Sequence, residues 1–363
     1  MATLLHTADI HLQEYADERW QALETLLNIA TKLKVDAVTI SGDLFDQDIN
    51  AHNLRDKLRS LFSKQEFQVI ILPGNHDLYS FEAGLYFGDN VIILSDINQQ
   101  VQLDAKTIIT GIPFEPLTAD ELFQKIQLIN TRLDPELTNI LLFHGELTDI
   151  FFNSSDFGDE GQKRYLPLKL NFLAETNLDY LLAGHFHTRF HLKRLPNQRM
   201  KQGGFFVYPG SPVSITTKEI GIRKVALIKP QQTPQEINLD SHHYQQLSLQ
   251  LTPGDDHTVL ANLEKELKGL DKNTTGLCRV SGFFDQTKLK LTEQELKAKL
   301  DNLMTKHNAQ MTEEDFSAKD IGSILDSGLY QAFNQELAQT KLAKNQQQAL
   351  TEKLVKALIQ VNS

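Results

Sequence analysis

The chain has 363 residues, 40% hydrophobic and 23% charged, with a formal net charge of −11. That is the balance of an ordinary globular protein of roughly two or three domains. Its single cysteine, Cys278, excludes an intrachain disulfide and a cysteine-built zinc site and fits a reducing, cytoplasmic compartment. No apolar run approaches the ~20 residues of a membrane span. The N-terminus shows no basic-then-apolar leader. The acidic balance disfavours non-specific polyanion binding without excluding one basic face.

In chain order, Thr3–Thr7 reads as a strand. Trp20, Leu23, Leu27, Ala30 and Leu33 then mark an amphipathic helix over Asp17–Leu33. Short apolar runs at Asp36–Ile40 and Phe67–Ile71 read as buried strands, with a helix over His52–Phe62 between them. Val91–Leu94, Thr107–Thr110, Asn139–Phe143, Tyr180–Ala183, Phe205–Tyr208 and Val225–Ile228 follow as strands, with a helix over Leu117–Leu133. Strands interleaved with helices predict a layered α/β domain over residues 1–230. Two prolines among polar residues mark Lys229–Gln235 as a linker. Beyond it, a strand over Tyr244–Leu251, a helix over His257–Leu267, a strand over Gly276–Phe284, a helix over Glu293–Met304 and a last strand near Ala309–Met311 predict a small α+β cap over 236–318. Residues 319–363 predict a helical hairpin, with Leu329, Phe333 and Leu337 on one face, Leu350, Leu354 and Leu358 on another, and a turn at Lys344–Asn345.

Five strands of the first domain end in polar residues. These are Asp9-Ile10-His11, Gly42-Asp43-Leu44-Phe45-Asp46, Gly74-Asn75-His76-Asp77, His144 before Gly145, and Gly184-His185-Phe186-His187. Ligands of open α/β sheets bind beyond the carboxyl ends of strands. Any one of these motifs alone is ordinary loop chemistry; five at independent strand ends point to a metal site. Three oxygen donors (Asp9, Asp43, Asn75) and four imidazoles (His11, His144, His185, His187) exceed the four ligands of one tetrahedral zinc ion. Seven donors with one bridging carboxylate suit two ions of borderline hardness, such as manganese or iron. Two such ions serve in-line displacement at phosphorus. That leaves His76 to act on the substrate as a proton donor or charge stabiliser, with Asp77 placed to orient it.

The five motifs, in order over residues 9–187, resemble those of the calcineurin-like metallophosphoesterase superfamily. The resemblance implies a β-sandwich flanked by helices. It implies one ion on Asp9, His11, Asp43 and His187, and a second on Asp43, Asn75, His144 and His185. His76 would be catalytic, Asp77 its orienter and Asp46 a supporting group. The cofactors implied are two divalent ions, Mn2+ first, with Fe2+ or Mg2+ as alternatives.

Three features resemble the SbcD-type DNA repair exonucleases in particular: His6-Thr7-Ala8-Asp9-Ile10-His11-Leu12, Gly42-Asp43-Leu44-Phe45-Asp46 and Tyr208-Pro209-Gly210-Ser211-Pro212. This branch implies DNA as substrate, an SMC-like coiled-coil ATPase partner docked on the C-terminal helices, and a homodimer. Between Gly184 and Thr217 there is no Asp or Glu, whereas Arg189, Lys193, Arg194, Arg199 and Lys201 are present with Phe190, Phe205, Phe206 and Tyr208 among them. The strip reads either as a nucleic-acid contact through residues such as Arg189 and Tyr208 or as an exposed hairpin with core aromatics. Two other functions compete: a phosphodiesterase for cyclic nucleotides or other small phosphoesters, and a non-catalytic scaffold. The extra cap and tail weigh against the first, and the complete ligand set against the second.

Overall fold

The computed structural model describes residues 2–81, 85–149, 166–195, 204–252, 256–325 and 327–362. It divides into two compact units, Met1–Tyr244 and Gln245–Ser363.

The first unit holds two six-stranded sheets. In one, β1 (Leu4–Thr7), β2 (Ala37–Ser41), β3 (Gln68–Leu72) and β4 (Val91–Ile93) run parallel. They are linked in part by α1 (Glu18–Leu33) and α2 (Asp48–Phe62). The other sheet has β5 (Gln100–Asp104), β6 (Thr107–Ile112), β7 (Thr138–His144) and β8 (Tyr180–Gly184) side by side, and α3 (Ala119–Asn130) joins β6 to β7. Next to β8 comes β10 (Gly204–Tyr208), and β9 (His191–Leu195) closes the edge. β6, β7, β8 and β10 are parallel, while β5 and β9 pair antiparallel at the two edges.

Alternation along the strands builds the layers, because successive side chains point to opposite faces. Leu4, Ile70 and Leu72 from the first sheet meet Ile140, Leu142, Leu182, Phe205 and Val207 from the second in one core cluster between the sheets. The intervening residues Leu5, Val38, Ile40, Val69 and Ile71 pack with α1 and α2. Leu141, Phe143, Leu181, Phe206 and Tyr208 pack with α3. The strands are buried on both faces, so their sequences read as unbroken apolar runs. Asp17 caps α1, its Oδ1 accepting the Trp20 N–H at 2.8 Å, and a reciprocal Thr118–Glu121 box opens α3.

Several sequence expectations shift. α2 begins at Asp48, four residues before His52. Its polar first turn, supported by the Gln47 N–H to Asn50 Oδ1 bond at 3.0 Å, carries no apolar period. The prolines of Lys229–Gln235 mark a hairpin, not a linker. This turn joins β11 (Lys224–Ile228) to β12 (Gln235–Asn238), which pair antiparallel on the β1 edge. The Tyr180 hydroxyl donates to the turn's Lys229 and Gln232 carbonyls. The unit therefore ends after Tyr244, beyond residue 230. β5, β9 and β12 carry half-polar edge patterns that apolar runs do not reveal.

In the second unit, β13 (His243–Leu251), α4 (Asp256–Lys268), β14 (Thr274–Phe284), α5 (Gln286–Leu289), α6 (Glu293–Lys306), β15 (Ala309–Gln310) and β16 (Phe316–Asp320) make a small α+β layer. β15 and β16 pair in parallel with successive parts of β14. Leu247, Leu251, Leu267, Val280, Phe284, Leu296 and Leu300 form its core. α7 (Gly322–Leu325), α8 (Gly328–Ala338) and α9 (Lys344–Asn362) follow. Lys344 opens α9 and does not sit in the turn before it. Val355 on α9 is buried with Ile321, Ile324 and Leu325. The residues after 318 thus fold in the same compact unit as the cap. Among the described residues, no helix is long and apolar enough to cross a membrane.

Candidate metal centre

His144 is the last residue of β7, and the other six donors sit on loops that leave the carboxyl ends of β1, β2, β3 and β8. Asp9, His11, Asp43, His144, His185 and His187 are all buried, although charged and imidazole side chains rarely are without a partner. Four of them lie at positive φ: Asp9 at 55°, His11 at 51°, Asp43 at 53° and His185 at 91°. Such conformations cost about 1–3 kcal/mol each outside glycine and persist where the surroundings over-determine them, as at binding sites.

Close approach explains two of the motif glycines. A Cβ on Gly42, itself at φ 88°, would lie 1.9 Å from His144 Nδ1, and one on Gly74 would lie 2.2 Å from Asp43 Oδ1. The second and third loops are stitched through Asp77. Its Oδ1 accepts the Gly74 N–H at 2.6 Å, and its Oδ2 accepts the Leu44 N–H at 2.7 Å and the Phe45 N–H at 3.3 Å. Burial, reinforced by the Asp43 charge, pushes the Asp77 carboxyl up to about 7 despite these donors.

Donor atoms of Asp9, His11 and His187 lie within 4.8 Å of one another, as do those of Asp9, Asp43 and His144. Asp43 Oδ2 lies 3.7 Å from His11 Nε2 and 3.2 Å from His144 Nε2, so one oxygen reaches both clusters. Its partner Oδ1 accepts the His76 N–H at 3.0 Å. Asp9 Oδ1 lies 3.8 Å from His187 Nε2, and both Asp9 oxygens accept the His185 N–H at 2.9 and 3.0 Å.

The donor chemistry fits a cation. His144 Nδ1 lies 2.9 Å from the Ser41 carbonyl, which only accepts, so Nδ1 carries a hydrogen and, in the neutral ring, Nε2 has the lone pair. That lone pair meets Asn75 Oδ1 at 2.8 Å as well as Asp43 Oδ2. Acceptors so gathered call for positive charge between them. In the metal-free chain a proton on Nε2 supplies that charge: burial would lower the His144 imidazole, but Asp43 and Asp9 push it up to about 10. Burial would raise Asp43, yet His144 and His11 hold it well below the usual carboxylate range. Asp9 is pushed up, chiefly by burial.

His76 sits beside the cluster, its ring 4.8 Å from that of His11 and roughly perpendicular to it. Its Nδ1 lies 2.9 Å from the Asp46 carbonyl. The orienting role expected of Asp77 therefore falls to the Asp46 backbone, because both Asp77 oxygens serve loop N–H groups. The Asp46 side chain faces His11: Oδ1 lies 3.5 Å from His11 Nδ1 and accepts from Arg19 at 2.9 Å, while Oδ2 accepts from Gln13 at 2.8 Å.

Tyr208 does not offer a face to nucleic acid. Strand alternation turns it into the α3-side core, where it is fully buried and its hydroxyl accepts the Leu147 N–H and donates to the Gly145 carbonyl. Phe205 and Phe206 are buried too. Arg189 and Arg194 are exposed, while Arg199 and Lys201 lie outside the described residues.

Three functional side chains were not legible as such. Arg19 binds the His11 carbonyl and Asp46, but in sequence it is one more polar residue at a helix start. Glu219 and Arg223 are buried behind His187. The one signal for Glu219 is that it is the first carboxylate after a stretch of thirty-odd residues with none.

Residues 2–189 match the calcineurin-like phosphoesterase model, more than half of the chain, and the protein belongs to that family. It is 25% identical over 238 residues to the DNA double-strand break repair protein Mre11 of Saccharolobus solfataricus, covering 61% of this chain and 57% of that one. It is 23% identical over 255 residues to the metallophosphoesterase YhaO of Bacillus subtilis, covering 62% and 57%. The chain thus spans less than two thirds of either relative. Among solved structures, a dimetal phosphatase from Danio rerio shares 10% identity at a TM-score of 0.46, covering 66% of this chain and 99% of that one. TT1561 of Thermus thermophilus shares 13% at 0.42, covering 65% and 98%.

Proposed function

We propose that the chain is a two-ion phosphodiesterase acting on DNA. The observation that carries the phosphoester chemistry is the gathering of Asp9, His11, Asp43, His144 and His187 donor atoms in overlapping groups, with Asn75 Oδ1 2.8 Å from His144 Nε2. Asp9, His11, Asp43 and His187 would hold one ion, and Asp43, Asn75, His144 and His185 the other. When bound, such a pair neutralises charge and activates water for displacement at phosphorus. The mixed oxygen and nitrogen set suits Mn2+ first, with Fe2+ or Mg2+ as alternatives. The chain's own residues do the rest. His76, anchored through Nδ1 on the Asp46 carbonyl, presents its other nitrogen to a phosphoryl or leaving oxygen and donates a proton there. Asp46 and Arg19 fix His11 and its backbone.

DNA as substrate is supported by the Mre11 similarity and by exposed Arg189 and Arg194 on a carboxylate-free stretch that begins at the Gly184-His185-Phe186-His187 motif. The α8–α9 hairpin keeps Leu329 and Leu350 exposed, and we assign that surface to an SMC-like coiled-coil ATPase. Homodimerisation through the α2 side and a cytoplasmic setting belong to the same reading.

The test is a Mn2+-dependent assay on labelled single- and double-stranded DNA beside a small cyclic diester. Cleavage of DNA that is lost in His76→Ala is expected. Turnover of the cyclic diester with DNA untouched would replace DNA by a small phosphoester, and no turnover of either by a metal-loaded protein would leave a scaffold.

A further inference from the structure

Behind the donor cluster lie four buried polar side chains that the five motifs do not include, Ser211, Ser214, Glu219 and Arg223. Glu219 is fully buried. Its Oε2 accepts the Ser211 hydroxyl at 2.9 Å and the Ile215 N–H at 2.8 Å. Its Oε1 lies 3.5 Å from His187 Nδ1, an ion-pair distance longer than an ordinary hydrogen bond. The opposite nitrogen of that ring, Nε2, is the one near Asp9. Arg223, also buried, holds the backbone of the same histidine. Its guanidinium donates to the His187, Thr188 and Ser211 carbonyls.

One short loop thus grips His187 twice, by its ring and by its backbone. A buried carboxylate is costly unless it is hydrogen-bonded and faces positive charge. Glu219 has two donors on one oxygen and, at the other, the Thr216 hydroxyl at 3.3 Å and a ligand imidazole.

We propose that Glu219 is a positioning residue for the ion held by His187. Its Oε1 accepts the His187 Nδ1–H, which fixes the tautomer with the lone pair on Nε2 and raises the basicity of that nitrogen. Arg223 keeps the histidine backbone in register beneath it. The inference rests on the two-ion reading of the site and makes no use of the substrate.

The test is metal binding without substrate. Mn2+ titration of metal-free protein, followed by calorimetry and elemental count, is compared among wild type, Glu219→Gln and Glu219→Asp. Glu219→Gln keeps the shape and removes the charge; it is expected to weaken one of two ions by about 10–100-fold. The other ion and the melting temperature of the metal-free protein should stay unchanged. Glu219→Asp, which restores the charge about one methylene short, should recover part of the loss. Wild-type affinity for both ions in Glu219→Gln would overturn the inference. So would equal weakening of both together with a lower metal-free melting temperature, the mark of a merely structural residue. If Glu219→Gln does not fold, Glu219→Asp decides alone: selective loss of one ion supports the role, and unchanged binding of both overturns it. Failure of wild type to bind two ions would instead overturn the metal-centre reading itself.

Discussion

His76 and Gly74 separate two duties that sit two residues apart. His76 is held by a backbone carbonyl and, although its ring lies within ligand reach of His11 and Asp43, the proposed assignment gives it to neither ion, so His76→Ala is expected to lower turnover by at least 10²-fold while leaving two bound ions, as counted by elemental analysis. Gly74→Ala is expected to do the reverse kind of damage: its Cβ would strike Asp43 Oδ1 at 2.2 Å, so metal loading itself should fall. Cys278, in the second unit, gives an independent check. Burial pushes its thiol up to about 12, and it is only 3% exposed. It should resist iodoacetamide in the native protein and react readily in denaturant, as followed by mass spectrometry. The proposed ligand residues stood out only together, because short loops fix each one close to the end of a different strand. What supports them was not legible. Asp77 turns to loop N–H groups and the Asp46 carbonyl meets His76 instead, because hydrogen bonds to backbone groups across loops leave no trace in residue spacing. Glu219 reaches His187 from a turn 32 residues away.

Elements show the same division. Strands buried on both faces announce themselves as apolar runs, and α1 and α3 through their caps and period. Edge strands β5, β9 and β12, half polar, do not. The Lys229–Gln235 hairpin shows the limit most clearly: two prolines among polar residues describe a turn equally well within a sheet or between domains. Only pairing of β12 with β11 decides. The layer between the two sheets carries much of the first unit's burial. Leu142→Ala, at 0% exposure within it, should cost about 2–5 kcal/mol, read as an earlier denaturant midpoint. On the C-terminal helices the faces differ. Val355 is 1% exposed and Leu329 is 62% exposed. Val355→Asp should therefore lower the melting temperature, while Leu329→Glu should leave it nearly unchanged, within about 0.5 kcal/mol, and weaken capture of a coiled-coil ATPase.

At the scale of the molecule, a net charge of −11 coexists with a proposed polyanionic substrate because contact is local. Binding to DNA should weaken steeply between 50 and 200 mM salt, with log K falling linearly in log salt, and charge reversal at Arg189 should flatten that slope. The cluster concentrates two buried carboxylates, an amide and four imidazoles, and the positive φ angles at Asp9, His11, Asp43 and His185 show that the scaffold holds them there at a conformational cost. That expenditure makes sense for a centre that receives its missing charge from outside. Electron paramagnetic resonance of the Mn2+-loaded chain, with the metal counted in the same sample, tests this most directly. Two ions per chain with a spin-coupled signal, collapsing in Asp43→Ala, are predicted. Fewer than two ions, or two that are magnetically isolated, would contradict a pair bridged by Asp43.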